Sequence, residues 1–358
     1  MAHLDATDWN DIQLTEAKND KRFSELGIVD AVKDSTPAVD YIPPSAIEQL
    51  RSTSSLRNIQ IPVLKDQTVS VVQTPGFNFI PSNLPESDKY AFTAVDVFSG
   101  FRHYPAQFDN NQMDSEWTKR EVMKNVAYAM GNTVEGILAS TLETRKTQLL
   151  NHTTQVSQGD GTYVFDAGTD TLKVSKAAQK ETMFYNLEQL MAANELGGQY
   201  RIINNRAGLS VQRSEAAKYA SNNDKNLQAL GFLPSDRMYE SGNIAAGSDI
   251  FNGWFLRDGS VGIIENFPYD FRNDTMVAGK KWSVSDMEIP YARMRANVYV
   301  NNEATEATAL VGAGTDSNLI MTHFSEMAIW LRFYVVYRYN SDLATRTNDI
   351  VKIQGLTT

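Results

Sequence analysis

The chain has 358 residues, no cysteine and a formal net charge of −10. Without thiols there are no disulfides, thiolate metal sites or cysteine nucleophiles. The acid excess argues against gripping nucleic acid through a basic face, which needs clustered Lys and Arg. A hydrophobic content of 42 % with 21 % charged residues is that of a folded soluble protein, and the length suffices for two lobes.

Residues 1–44 are polar and lightly patterned, with a short helix expected around 20–33 and then Pro37, Pro43 and Pro44. They read as an arm that packs on something else. No apolar signal core stands in residues 1–21, so synthesis and retention in a cytoplasm is the default expectation. A second short helix is expected over 45–56. From Ile59 the pattern turns extended, with Val69 and Val71 alternating with polar residues, then a loop holding Pro75, Gly76, Pro81 and Pro85. Residues 90–104 form a second extended stretch. Two long strands with a proline-rich tip and no adjacent helix are marginal alone. Their aromatic residues Phe77, Phe79, Phe92, Phe98 and Phe101 therefore need a cover, most simply a neighbouring copy of the chain.

The longest helical pattern covers 114–150. Met123, Val126, Ala127, Met130, Val134, Ile137, Leu138 and Leu142 recur on one stripe of a helix with about 3.6 residues per turn. Acids near its start and Arg145 and Lys146 near its end suit the helix dipole. The box Thr118-Lys119-Arg120-Glu121 allows a start one turn after Asp114. Gly131 and Gly136 lie inside it, each costing about 1 kcal/mol relative to Ala, a cost that close approach of another backbone would justify. A small hairpin is expected around Tyr163-Val164-Phe165, a second amphipathic helix over 173–194 ending at Gly197 and Gly198, a strand over 200–203, and a polar helix over 207–221.

Beyond Gly231 the chain reads as short strands. Residues 253–256 and 260–265 flank Arg257-Asp258-Gly259 in a hairpin-like arrangement, and 301–317 reads as loop. Residues 327–339 alternate strictly. Met327, Ile329, Leu331, Phe333, Val335, Tyr337 and Tyr339 take one face, and Ala328, Trp330, Arg332, Tyr334, Val336 and Arg338 the other. Arg332 and the short length keep this apolar run from being a membrane span.

Chemical motifs are sparse. His3, His103, His152 and His323 have no partner at metal-ligand spacing, and ordinary structural roles are the expectation for all four. Gly312-Ala313-Gly314 lacks the third glycine of a dinucleotide fingerprint. Asp160, Asp166 and Asp170 lack the frame of a calcium loop and read as solvated turns. No catalytic, cofactor or metal residues are assigned.

The order of elements (polar arm, long two-stranded loop, spine helix, second helix, mixed α/β lobe, long late strand) resembles the major capsid protein of tailed bacteriophages, the Hong Kong 97-type fold. Phe251-Asn252-Gly253-Trp254-Phe255-Leu256-Arg257-Asp258-Gly259-Ser260-Val261-Gly262 looks like a central-lobe strand pair of that family, and Val335-Val336-Tyr337-Arg338-Tyr339 like the end of its closing strand. The resemblance implies an α+β fold. Residues 1–53 would be the arm, 54–112 the extended loop, 113–199 a peripheral lobe with the spine helix, 200–315 an axial lobe, and 316–358 the closing strand and C-terminal return.

It also implies a non-enzymatic virion protein, assembled in the host cytoplasm, that forms hexamers and pentamers of an icosahedral shell. The shell would enclose double-stranded DNA without sequence-specific binding, with portal, scaffolding or decoration proteins as partners and no membrane. The candidate inter-subunit contacts are Phe77, Phe79, Phe92, Phe98, Phe101, Gly131 and Gly136. Lys65 or Lys89 with Asn340 or Asn348 could be tried as a covalent weld, but nothing around them marks that role. A nanocompartment shell is the alternative with the same fold; a hydrolase with a dispersed site is the alternative from another class.

Overall fold

The computed structural model describes residues 26–52, 59–64, 87–104, 115–151, 153, 162–181, 183–196, 198–205, 238–244, 251–266, 275–277, 280–289, 292–309, 319–338 and 349–356. Val69, Val71, Phe77, Phe79 and the helix expected over 207–221 lie outside them.

Helix α1 (Gly27–Ser35) is followed by a 3-10 turn (Thr36–Ala38) and helix α2 (Pro44–Ser52). Strands β1 (Ile59–Leu64) and β2 (Ser87–Phe92) pair antiparallel, Ile61 opposite Tyr90. Strand β3 (Ala94–His103) then leaves this ribbon and pairs with β13 (Leu319–Tyr337). Residues 94–103, expected as part of the extended loop, are thus paired through their backbone into a central sheet.

That sheet runs β10 (Thr275–Val277), β11 (Lys280–Ile289), β12 (Met294–Ala309), β13, β3, with β9 (Val261–Glu265) also on β13. β12 pairs with residues 319–330 of β13, and β9 takes over at 333–337. The loop expected from Asn301 is therefore strand as far as Ala309. Its Thr- and Ala-rich sequence has no local apolar alternation, and only the distant partner β13 makes it extended.

Helix α3 (Ser115–Arg145) is the spine and begins ahead of the Thr118 capping box. Its stripe Met123, Ala127, Met130, Val134, Leu138 and Leu142 is buried against Val97, Met327, Ile329, Leu331 and Phe333 of the central sheet, with Ile28, Val29 and Val32 of α1 in the same cluster. Val126 and Ile137, also expected on the stripe, are only partly buried. At about 25 cal/mol per Å² of apolar surface, each fully buried Met, Val or Leu of the stripe contributes roughly 1.5–3 kcal/mol. Arg145 ties the helix end to β13, donating to Tyr337 Oη at 2.8 Å with its guanidinium 4.2 Å from the ring centroid.

The second sheet runs β4 (Tyr163–Asp166), β5 (Thr171–Val174), β14 (Ile350–Gly355), β8 (Asn252–Arg257), β6 (Tyr200–Asn204), β7 (Met238–Glu240). The hairpin expected around Tyr163 is β4–β5. The helix expected over 173–194 starts later: Lys173 and Val174 belong to β5, and α4 (Lys176–Glu181) and α5 (Met183–Ala193) follow. One face of this sheet, with Leu172, Ile202, Phe255 and Ile353, packs on Leu187, Leu190 and Met191 of α5. The other, with Ile203, Trp254, Leu256 and Ile350, joins the α3 cluster.

The expected hairpin across Arg257-Asp258-Gly259 is instead a corner between sheets. β8 pairs with β6 and β14, whereas β9 pairs with β13. Gly259 makes the corner at φ 82°, where a Cβ would stand 2.2 Å from the Ala38 carbonyl oxygen.

Candidate assembly surface

Strict alternation on β13 gives it two faces with different covers. The odd-numbered face is core. On the even-numbered face, Tyr334 and Val336 are buried under Tyr41, Ile42 and Leu50 of the arm and Ile61 and Phe92 of the β1–β2 ribbon. That cover stops at Arg332. Ala328 and Trp330, toward the start of the strand, keep part of their surface open.

Strand β3 ends the sheet among the described residues, and its register sets the opposing pairs: Asp96 against Arg332, Phe98 against Trp330, Gly100 against Ala328, and Arg102 against Glu326. Gly100 lets the two backbones close up, since a Cβ there would lie 2.6 Å from the Met327 carbonyl oxygen. With only glycine and alanine in the middle row, a groove runs between Phe98 on one side and Trp282 of β11 on the other. Phe98 is 68 % exposed, the most exposed large apolar side chain among the described residues, ahead of Trp117 at 57 % and Val164 at 47 %.

The walls of this groove are held by charge. Arg332, almost fully buried, donates to both Asp96 carboxylate oxygens at 2.7 and 3.2 Å, and the Trp330 indole N–H donates to Asp96 Oδ1 at 2.8 Å. The Arg332 guanidinium also lies 4.7 Å from the Trp330 ring centroid. Arg102 pairs with Glu326 at 3.0 Å and sits 5.0 Å from the Phe324 centroid. A bidentate pair in a half-buried setting fixes geometry as well as charge. The arrangement is a rigid aromatic surface, suited to binding a complementary protein face with little ordering cost.

The other candidate contacts scatter. Phe92 is 3 % exposed and packs edge-on to Tyr337 at 5.9 Å, so it serves the chain's own core. Phe101 is half-buried against the α3 cluster and reaches the floor of the groove. Gly131 is buried on α3, while Gly136 is exposed on that helix and a Cβ there would meet nothing within 4 Å. Because α3 covers the odd face of the sheet, Gly136 and Phe98 do not share one surface.

His103 is buried and His323 exposed; His3 and His152 lie outside the described residues. Among the described residues no group of three or more His, Cys, Asp or Glu could hold a metal ion. Asp166, one of the three aspartates in the calcium-like stretch, has its oxygens engaged by Lys173, the Gly168 N–H and the Thr169 hydroxyl, which together draw its carboxyl down to about 2.

One buried acid carries no motif in the sequence. Glu135 of α3 is fully buried and accepts from the Ile28 backbone N–H at 3.3 Å, in the first turn of α1, and from the Ser241 hydroxyl. Burial pushes its carboxyl up to about 7 against the hydrogen bonds of Ser241, Ile28 and Asn243, with the nearby Asp30 adding in the raising direction. The signal was in the spacing: Gly131, Glu135, Leu138 and Leu142 are four, three and four apart on the buried stripe.

No family model and no curated protein sequence matches the chain. Solved structures similar to it include a chain of Mycobacterium phage Che8, at 12 % identity over 88 % of this chain and 89 % of that one, TM-score 0.45. They also include the mature capsid of bacteriophage PhiM1, at 11 % over 86 % and 85 %, TM-score 0.45. A third is the capsid of cyanophage P-SCSP1u, at 11 % over 86 % of each chain, TM-score 0.37.

Proposed function

We propose that the chain is a major capsid protein of the tailed-phage type. In this reading its copies associate into hexamers and pentamers of an icosahedral shell around double-stranded DNA, with portal and scaffolding or decoration proteins as further partners. The observation that carries the reading is the Phe98–Trp330 surface. It is an aromatic pair, Phe98 on the end strand β3 and Trp330 opposite it on β13, on a sheet whose other face packs on α3, and its walls are locked by Asp96, Arg332 and Arg102. A rigid aromatic face of this kind is a contact surface rather than a reaction centre. The formal charge of −10 suits a wall that encloses DNA without holding it tightly.

In this reading the lobes follow the sequence divisions, with residues 94–103 moved from the extended loop to the central sheet. Gly136, with open space above it, is the point on α3 where a neighbouring backbone could approach. The test is Phe98→Asp in the full chain. Sedimentation velocity should show wild-type protein as capsomers or shells and the variant shifted to free subunits, with the same far-UV circular dichroism. An unchanged distribution of assemblies would remove Phe98 as a contact.

A further inference from the structure

A second surface, lined by none of the groove's residues, has a different chemistry. Between α1, α2, β9 and the start of β12 is a cleft of about 640 Å³. Its apolar floor is formed by the half-buried Val39 and Ile47, with the buried Ile264 and Val336 also in the lining, and its rim carries Lys33, Arg51 and Arg295 against a single carboxylate, Glu265. Glu265 is engaged twice, by Lys33 and by the backbone N–H of Arg295 at 3.4 Å. The guanidinium of Arg295 comes no nearer than 3.9 Å to Asp286, and both side chains are well exposed. Three cations around one carboxylate, above an apolar floor, form a concentrated positive field on a chain whose formal charge is −10. The cleft matches an extended peptide that alternates carboxylates with apolar side chains.

The sequence contains one such stretch close by. Residues 4–12 hold Leu4 beside Asp5, Asp8 beside Trp9, and Asp11 beside Ile12, with no Lys or Arg before Lys18. They lie outside the described residues, which begin at Leu26, one residue before α1. The last turn of α1 and the turn after it line the cleft through Lys33 and Thr36. From Leu26 to Thr36 is roughly 15 Å along a helix, and the residues between Ile12 and Leu26 can reach on the order of 45 Å when extended. We propose that this cleft is the docking site for residues 4–12 of the same chain, with the aspartates against Arg51 and Arg295 and Trp9 on the apolar floor. The proposal does not depend on the shell reading.

The chain has no native cysteine, so engineered pairs report cleanly. Asn10→Cys is combined with Ile47→Cys, or with Pro37→Cys on the exposed lip in case the first pair folds poorly. A control combines Asn10→Cys with Val164→Cys, exposed on β4. Under mild oxidation of the full chain, a cleft pair should close an intramolecular disulfide about tenfold faster than the control, as a docked segment has a raised effective concentration. Arg51→Glu with Arg295→Glu should abolish that advantage. Equal rates at cleft and control, a rate indifferent to charge reversal, or disulfides only between chains would each overturn the proposal.

Discussion

At the level of single residues, Glu135 makes stability fall with rising pH. Its carboxyl rises from an ordinary 4.5 to about 7 in the fold, so the native state binds a proton that the unfolded chain has released. The resulting stabilisation is fully present below about pH 4.5 and is lost as pH rises through 7. A shift of this size is worth up to about 3 kcal/mol. Urea midpoints should therefore carry a component that falls between pH 5 and 8. Glu135→Gln, which keeps an acceptor for the Ile28 N–H, should lose that component and exceed the parent in stability at pH 8. A variant with the parent's pH profile would show that burial of this acid is not what shifts it. Phe98 behaves oppositely: with 68 % of its surface in solvent, Phe98→Ser should move the unfolding free energy by no more than about 0.5 kcal/mol while weakening association.

Among the elements, α3 offers the sharpest test. Gly131 is buried, so a larger side chain there disturbs the core and cannot report on assembly alone. Gly136 is exposed with open space around its Cα. Gly136→Ala should therefore stabilise the isolated subunit by up to about 1 kcal/mol, measured by chemical denaturation. Gly136→Leu should leave the subunit folded and hinder assembly if a neighbouring backbone passes there. Normal shells from Gly136→Leu would remove that explanation for the glycine.

The elements also show which features local sequence carries. The α3 stripe and the two faces of β13 were legible, because each rests on one element's own period against one core. β12 and the Arg257–Gly259 corner were not. Residues 301–309 are extended because they lie beside residues 319–326, and β8 and β9 part because their partners, β6 and β14 for one and β13 for the other, are remote in sequence. The division of residues 173–194 into a strand end and two helices has the same cause, since Val174 is claimed by pairing with Tyr163 and Gly355. Of the proposed contacts, alternation placed Phe98 on a strand but could not say that Phe92, six residues earlier, would be covered by the arm.

At the scale of the whole molecule, two apolar clusters of the described residues meet along β13, one under α3 and one under the arm and ribbon. A third lies on the face of the second sheet turned toward α5. With these interiors filled by the chain itself, the aromatic surface at Phe98 and Trp330 stands out as an unfilled apolar feature of the described residues, and the shell reading assigns it to a neighbouring copy. Negative-stain electron microscopy of the full chain, purified alone and co-expressed with its neighbouring genes, tests that claim most directly. The account predicts closed shells, or rings of five and six subunits, lost on Phe98→Asp. A monodisperse monomer across salt, pH and concentration would contradict it.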